Sequence, residues 1–181
     1  MTRAERSPDE ARNLTNRDEE PLERRAPKGK VRWRLSWAAR FVSRWEGYSP
    51  VAFLDTIASP PVPTGGYGHT GPDVRVGQQW SKGKSLLTLT RDLRTAARAV
   101  KRNIHVKLTV RQRIALISPV FNCGPGLVEG SQLQKKLNAG NYLGAANELL
   151  EWCHAGGVVI EGLLNRRREE RWMFLHSRKA H

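Results

Sequence analysis

The sequence is poor in cysteine, in acidic residues and in long apolar runs. Its 181 residues include only two cysteines, Cys123 and Cys153, which do not have the spacing of zinc ligands and are too few for a disulfide framework. No run approaches the roughly 18 apolar residues of a membrane span. The first twenty residues also lack the apolar core of a secretory signal. We therefore expect a protein that is cytoplasmic on synthesis and keeps both thiols reduced.

Several catalytic motifs are missing as well. The chain has no Gly-x-Ser-x-Gly elbow, no phosphate-binding loop, no HExxH helix and no dinucleotide fingerprint. These absences argue against an α/β-hydrolase, a nucleotide-dependent enzyme and a zinc protease. We expect neither a metal nor an organic cofactor.

Basic residues are in large excess and unevenly placed. The net charge is +14, but residues 1–30 hold 8 Lys and Arg against 7 Asp and Glu, whereas residues 31–181 hold 23 against 10. Residues 1–30 also have three prolines and almost no large apolar residue, so we expect a disordered charged tail. Residues 31–178 are the predicted folded domain, and its basic surface favours a polyanionic partner such as nucleic acid, anionic lipid or an acidic cell-wall polymer.

The apolar periodicity from Val31 onward predicts a chain of helices. Trp33, Trp37, Phe41 and Trp45 recur every four residues and predict a first helix that ends near Gly47. Residues 51–70 are rich in proline and glycine and predict short strands, with a hairpin at Val62–Tyr67. Further helices are predicted at 88–106 (capped by Thr88 or Thr90), from Thr109 to Gly124 with a kink or break at Pro119, at 131–140 after a Ser131 cap, at 142–153, and at 163–176. A loop is predicted at 154–157. The fold class is therefore α+β, mostly α.

Two carboxylates suggest acid–base chemistry. Glu46 lies at the predicted end of the first helix, where the helix dipole disfavours an ionised acid and so favours a proton donor. Asp55 follows nine residues later, beyond a chain reversal. Thr64 and His69 on the hairpin could bring a hydroxyl and an imidazole to the same place. Paired acids are the usual machinery for hydrolysing a glycosidic bond, although spacing alone leaves this assignment open.

The motifs in this region resemble those of phage-type lysozymes, the endolysins of glycoside hydrolase family 24. Residues 39–70, ARFVSRWEGYSPVAFLDTIASPPVPTGGYGHT, are similar to the opening of that family: a helix ending in Glu-Gly, an Asp nine residues on, and then Thr-x-Gly-x-Gly-His. The resemblance continues through FNCG at 121–124, SQLQKKLN at 131–138, AGG at 155–157, and Arg166-Arg167 followed by Glu170. It covers roughly residues 35–176, with the motifs in the family's order.

The resemblance implies a two-lobed fold and a set of site residues. A small β-hairpin lobe would span about residues 47–85, and a helical C-terminal lobe about residues 86–176. Glu46 would be the general acid, while Asp55 and Thr64 would stabilise charge and hold a water. The implied substrate-binding residues are His69, Phe121, Asn122 and Arg166, and Arg166 or Arg167 is expected to pair with Glu46 or Asp55.

The family hydrolyses the β-1,4 bond between N-acetylmuramic acid and N-acetylglucosamine, with inversion. The resemblance therefore implies a muramidase whose partner is the peptidoglycan strand. The basic surface suits an anionic wall or membrane surface as a second partner, and no nucleic acid is expected. The sequence is silent on oligomeric state, for which a monomer is the default. Such an enzyme would act in host lysis, reaching the wall after release from the cytoplasm. Two alternatives stay open: a lytic transglycosylase of the same fold, and a basic polyanion-binding or membrane-binding module without catalysis.

Overall fold

The computed structural model describes residues 35–56 and 60–177. Its helices are α1 (Leu35–Val42), α2 (Lys82–Asn103), α3 (Val110–Cys123), α4 (Gln132–Asn138), α5 (Tyr142–Glu148) and α6 (Glu161–Leu175). Its strands are β1 (Ser49–Asp55), β2 (Val62–Gly66), β3 (His69–Thr70), β4 (His154–Ala155) and β5 (Val158–Val159). The predicted class, α+β and mostly α, is confirmed. The predicted tail at residues 1–30 lies outside the described residues.

The first sheet is a three-stranded antiparallel ladder with β2 in the middle. Thr64 lies opposite Phe53 of β1, and Asp55 at the end of β1 lies opposite Val62. On the other side Gly65 pairs with His69 of β3. The predicted hairpin at Val62–Tyr67 is thus β2 and the turn that leads into β3, and the sequence did not reveal the longer pairing with β1.

Trp80 forms the small core of this sheet. It is buried with Ala52 and Val74, and its backbone N–H donates to the Pro50 carbonyl at 2.7 Å. The indole lies directly on the backbone of β2, because a Cβ added at Gly65 would lie 2.6 Å from Trp80 Nε1. A glycine is therefore required at residue 65 for the ring to fit.

The helical part is built around α3. Residues 114–120 of this helix are all buried, and the helix packs against α1, α2 and α6. Thr109 and Gln112 form a capping box at its start, and Gly124 follows its end with φ of 91°. Both predicted limits are confirmed. The helix runs through Pro119 without ending, so the predicted break there did not occur.

Two helix boundaries differ from the prediction. The first helix ends at Val42 rather than near Gly47, and turns follow at residues 43–45. The aromatic spacing continues through these turns, which explains the error. The long helix begins at Lys82, not at residue 88, because the Ser81 hydroxyl caps it by accepting from Lys84 N–H. Thr88 and Thr90 are consequently interior residues of α2, and the predicted lobe boundary near residue 85 falls inside this helix.

The region before α6 is more irregular than predicted. Helix α5 stops at Glu148, a 3₁₀ turn covers Leu149–Glu151, and β4 and β5 form a two-stranded hairpin. The predicted helix at 142–153 is therefore present but ends early, and of the predicted loop at 154–157 only residues 156–157 form a turn. Gly156 and Gly157, both at positive φ, form the turn of the hairpin. The Ser131 cap of α4 and the position of α6 agree with the prediction.

Within residues 35–56 and 60–177, no helix has both the length and the apolar character needed to cross a membrane.

Candidate active site

Glu46 lies just beyond α1, at the point where the chain leaves the helical part for the sheet. Its backbone N–H still donates to the Val42 carbonyl at 3.2 Å, which fixes the start of this segment. Its side chain is 23% exposed, and Arg166 Nη1 donates to its Oε1 at 2.9 Å. The predicted ion pair between an arginine of the last helix and one of the two acids is present. The ion pair therefore fixes the position of a partly buried carboxyl group between the helical part and the sheet.

Arg166 belongs to a buried polar network. Its Nε donates to Glu170 at 3.3 Å and its Nη2 to the Ser118 hydroxyl at 3.2 Å. Arg167 approaches the same carboxylate, with its Nε 2.6 Å from Glu170 Oε2. Arg166 is 3% exposed, and Arg167 and Glu170 are fully buried. Because these charges are desolvated and paired with one another, the network holds Arg166 in one position.

Glu170 is the most strongly perturbed titratable group of the network. Burial raises the pKa of Glu170 to about 7, against the opposing effect of Arg167, the Ser118 hydroxyl and Arg166. The Ser118 hydroxyl donates to Glu170 Oε1 at 2.6 Å. Glu170 and Glu46 thus share the guanidinium of Arg166.

Asp55 and Thr64 lie on the same face of the sheet. Thr64 is directly opposite Phe53, so these two side chains point to the same face of the sheet. Asp55 is two residues after Phe53 on β1, and side chains two residues apart on a strand share a face. Such diagonal neighbours have Cα atoms about 7–8 Å apart. Thr64 is 8% exposed, and its hydroxyl donates to the Val62 carbonyl at 3.2 Å. The register therefore brings a carboxylate and a hydroxyl to the same face of the sheet.

His69 is held on both ring nitrogens. Nδ1 is 2.7 Å from Asp92 Oδ2 on α2, and Nε2 is 3.1 Å from Asp73 Oδ1. The ring also packs against Trp80 at a centroid distance of 5.7 Å. The hydrogen bond with His69 lowers the pKa of Asp73. These contacts tie the sheet to α2.

Phe121 and Asn122 lie in the last turn of α3, and Cys123 ends it. Asn122 is exposed, and Phe121 and Cys123 are partly exposed. Arg167 Nη1 donates to Cys123 Sγ at 3.0 Å, which connects the end of α3 to the buried network. Asn122 and Cys123 also line a pocket of about 460 Å³.

The sequence did not reveal three partners in this region. Ser118 carried no signal, since a serine within an apolar helix is unremarkable in sequence. Glu170 was noticed only as the last part of a motif, although its spacing from Arg166 and Arg167 suits a helical ion pair. Asp92 lies 23 residues from His69 along the chain, and nothing in the sequence connects the two. No group of three or more His, Cys, Asp or Glu residues in the described ranges could hold a metal ion.

Comparison with known proteins gives the same family throughout. The family model described as phage lysozyme matches residues 43–170. Over 126 residues the chain is 36% identical to the SAR-endolysin of Enterobacteria phage P21, covering 70% of this chain and 74% of that protein. Over 110 residues it is 42% identical to the endolysin of Bacillus phage B103, covering 61% of this chain but only 42% of that longer protein.

A solved structure extends the similarity to the fold. The crystal structure of a P22 lysozyme mutant superposes with a TM-score of 0.69 at 36% identity, covering 77% of this chain and 96% of that one. The predicted lysozyme-like fold is thereby confirmed. The chain belongs to the phage lysozyme family of glycoside hydrolases.

Proposed function

We propose that the protein is a muramidase that hydrolyses the β-1,4 bond between N-acetylmuramic acid and N-acetylglucosamine in peptidoglycan. The observation that carries the proposal is the setting of Glu46, a partly buried acid held at 2.9 Å by the buried Arg166. The relatives named as endolysins and lysozymes support this substrate.

Glu46 is the proposed general acid. Arg166 donates to Oε1 of Glu46, and none of the described residues donates to Oε2 of Glu46. Oε2 is therefore the atom that can carry the proton to the glycosidic oxygen. Glu46 would transfer its proton to the glycosidic oxygen as the bond from that oxygen to the anomeric carbon breaks. Arg166 is the proposed positioning residue, because its guanidinium is also bound to Glu170 and Ser118 and cannot follow a moving carboxylate.

Asp55 and Thr64 are proposed to hold the attacking water. The water would add to the anomeric carbon from the face opposite the leaving group and give its proton to Asp55, so the product has inverted configuration. Inverting enzymes need about 6.5–9.5 Å between the two carboxyl groups, which leaves room for this water. The shared sheet face of Asp55 and Thr64 supports the assignment.

The remaining predicted residues divide into two roles. Phe121 and Asn122 are accessible at the end of α3, and we assign them contacts with the sugar chain. His69 has both ring nitrogens occupied by Asp92 and Asp73, which favours a bracing role over direct sugar contact.

The surface of α2 suits an anionic wall. Arg91, Arg94, Arg98 and Lys101 are exposed at helical spacing on one face of this helix. We propose that this basic stripe keeps a monomeric enzyme close to the wall after release from the cytoplasm, and that its partner is not nucleic acid.

The test is the clearing of purified peptidoglycan by wild type and Glu46→Gln, followed by mass analysis of the fragments. Glu129→Gln is the matched control, because Glu129 is 41% exposed and pairs with Arg102 far along the chain from Glu46. We expect wild type and the control to clear the suspension and to leave hydrated reducing ends, and Glu46→Gln to lose at least a hundredfold in rate.

Other outcomes distinguish the alternatives. Anhydro ends would mean intramolecular closure, as in a lytic transglycosylase. Clearing that survives Glu46→Gln would mean that the basic surface, not the acid, causes the effect.

A further inference from the structure

Trp172 is an exposed indole on the last helix. It is 54% exposed, and among the described residues it is the one exposed large hydrophobic side chain of α6. Tryptophan is highly buried on average, but a single exposed apolar residue is common on protein surfaces. The way this ring is held, and the groups that surround it, therefore decide whether it can serve as a binding surface.

The indole of Trp172 is held in one orientation. The His176 ring stacks on it with a centroid distance of 4.8 Å and an angle of 17° between the two planes. His176 is itself fixed, because its Nδ1 and its backbone N–H both donate to the Trp172 carbonyl at 2.9 Å. His176 thus supports the indole from one side, while more than half of the residue stays accessible. A ring that is already held in place loses little entropy when a ligand stacks on it.

The charged residues of the preceding turn that reach the surface are all paired. They are Glu169 with Arg44, Arg168 with Glu161 and Asn165, and Arg171 with Asn147. Nucleic acid and anionic lipid are bound through cations that are available to phosphates, which this turn of α6 does not offer. A protein partner would need a wider apolar patch than one indole. The surface around Trp172 therefore suits a small, uncharged ligand.

A pyranose ring meets these requirements. In a β-1,4-linked amino sugar the ring substituents are equatorial, so the ring has an apolar face of C–H groups and a polar edge of hydroxyl and amide groups. The apolar face can stack on the indole of Trp172. The edge can bond to Glu169 and Arg168, whose side chains are 36% and 57% exposed.

This surface is separate from the proposed active site. Trp172 follows Arg166 by six residues of α6, which corresponds to about 9 Å along the helix axis and about 120° around it. Arg166 is buried and reaches Glu46, whereas Trp172 is exposed. A sugar on Trp172 would therefore not occupy the position of the bond to be cleaved.

We propose that Trp172 and His176 form a platform that binds a sugar ring of the glycan strand outside the active site. The choice of strand rests on the proposed function, since it takes peptidoglycan as the substrate. The platform would hold the enzyme on insoluble wall between cleavage events and so raise the local concentration of glycan at the active site.

The first test measures binding to insoluble peptidoglycan in the Glu46→Gln variant, so that the strand is not cut during the measurement. Adding Trp172→Ala should raise the Kd about tenfold, and adding Trp172→Tyr, which keeps an aromatic face, should raise it less than about threefold. Leu143→Ala is the matched control, because Leu143 is 59% exposed on α5 and should not affect the Kd. Unchanged binding by Trp172→Ala, or an equal loss in Leu143→Ala, would overturn the platform.

The second test follows the indole N–H signal of Trp172 by NMR, identified as the signal that Trp172→Tyr lacks. Titration with a soluble tetramer of β-1,4-linked N-acetylglucosamine should shift this signal saturably, and His176→Ala should weaken the binding about threefold. A short oligonucleotide and vesicles of anionic phospholipid should leave the signal in place. No shift with the sugar, or a shift with either anionic probe, would contradict the proposal.

Kinetics separate this inference from the proposed function. If wild type does not cleave peptidoglycan, the muramidase proposal fails, and the NMR titration still decides the platform. If wild type cleaves, Trp172→Ala should raise KM about tenfold on insoluble peptidoglycan, with kcat unchanged, and should not alter cleavage of short soluble fragments. An equal effect on both substrates would place Trp172 in the cleft and overturn a separate platform.

Discussion

Arg166 Nη1 lies 2.9 Å from Glu46 Oε1, although the two residues are 120 positions apart in the sequence. The same guanidinium contacts Glu170 and Ser118 inside the protein. One side chain thus couples the core of the helical part to the acid proposed to protonate the substrate.

Replacing Arg166 should affect both folding and activity. Arg166→Gln leaves the buried Glu170 with one arginine fewer and Glu46 without its partner, so we expect the free energy of unfolding to fall by about 3–5 kcal/mol. Arg168→Gln is the control on the same helix, because Arg168 is 57% exposed and should contribute less than about 1 kcal/mol. Urea unfolding and peptidoglycan clearing measure the two effects, and similar losses in the two variants would contradict the role of Arg166.

Thr64→Val should separate activity from stability. The substitution keeps the shape and removes the hydroxyl proposed to hold the water, so we expect kcat to fall about a hundredfold with little change in KM. Thr70→Val is the matched control, since Thr70 is exposed and pairs with Thr64 across β2 and β3. Full activity of Thr64→Val would remove Thr64 from the mechanism.

Gly65→Ala should destabilise the sheet. The added Cβ would lie 2.6 Å from Trp80 Nε1, and the indole is buried with nowhere to move, so we expect a loss of about 1–3 kcal/mol. Gly83→Ala is the opposite control: a Cβ there meets nothing within 4 Å, and the residue is exposed in the first turn of α2. That change should leave stability equal or raise it by up to about 1 kcal/mol. Thermal unfolding of both variants would show whether they differ in sign.

Glu170 should make stability depend on pH. Its folded-state pKa of about 7 is above the ordinary value of 4.5, so between these values the folded protein keeps a proton that the unfolded chain has released. The contribution of Glu170 to stability is therefore greatest below about pH 4.5 and is lost as the pH rises through about 7. The difference in unfolding free energy between wild type and Glu170→Gln should decrease from pH 5 to pH 7. A difference that stays constant or grows would mean that the arginines outweigh burial.

Helix ends that are set by a cap a few residues away could be predicted from the sequence. The Thr109 capping box and Gly124 bound α3, and Ser131 caps α4, because each cap is a contact within four residues. The start of α2 was missed because Ser81 is followed by a glycine at residue 83, which lowers helix propensity but does not stop a helix that is packed against the core.

The motifs also predicted the family, the fold class and the pairing of an arginine of the last helix with one of the two candidate acids. What the sequence by itself determined is therefore the set of helices, the turn glycines and the identity of the candidate residues, since these follow from local propensity and motif order. Only the tertiary structure decided which groups meet. It brings Glu46 to Arg166, His69 to Asp92 and Ser118 to Glu170. Those contacts join residues far apart along the chain, and their energies depend on the burial and charge balance that packing creates.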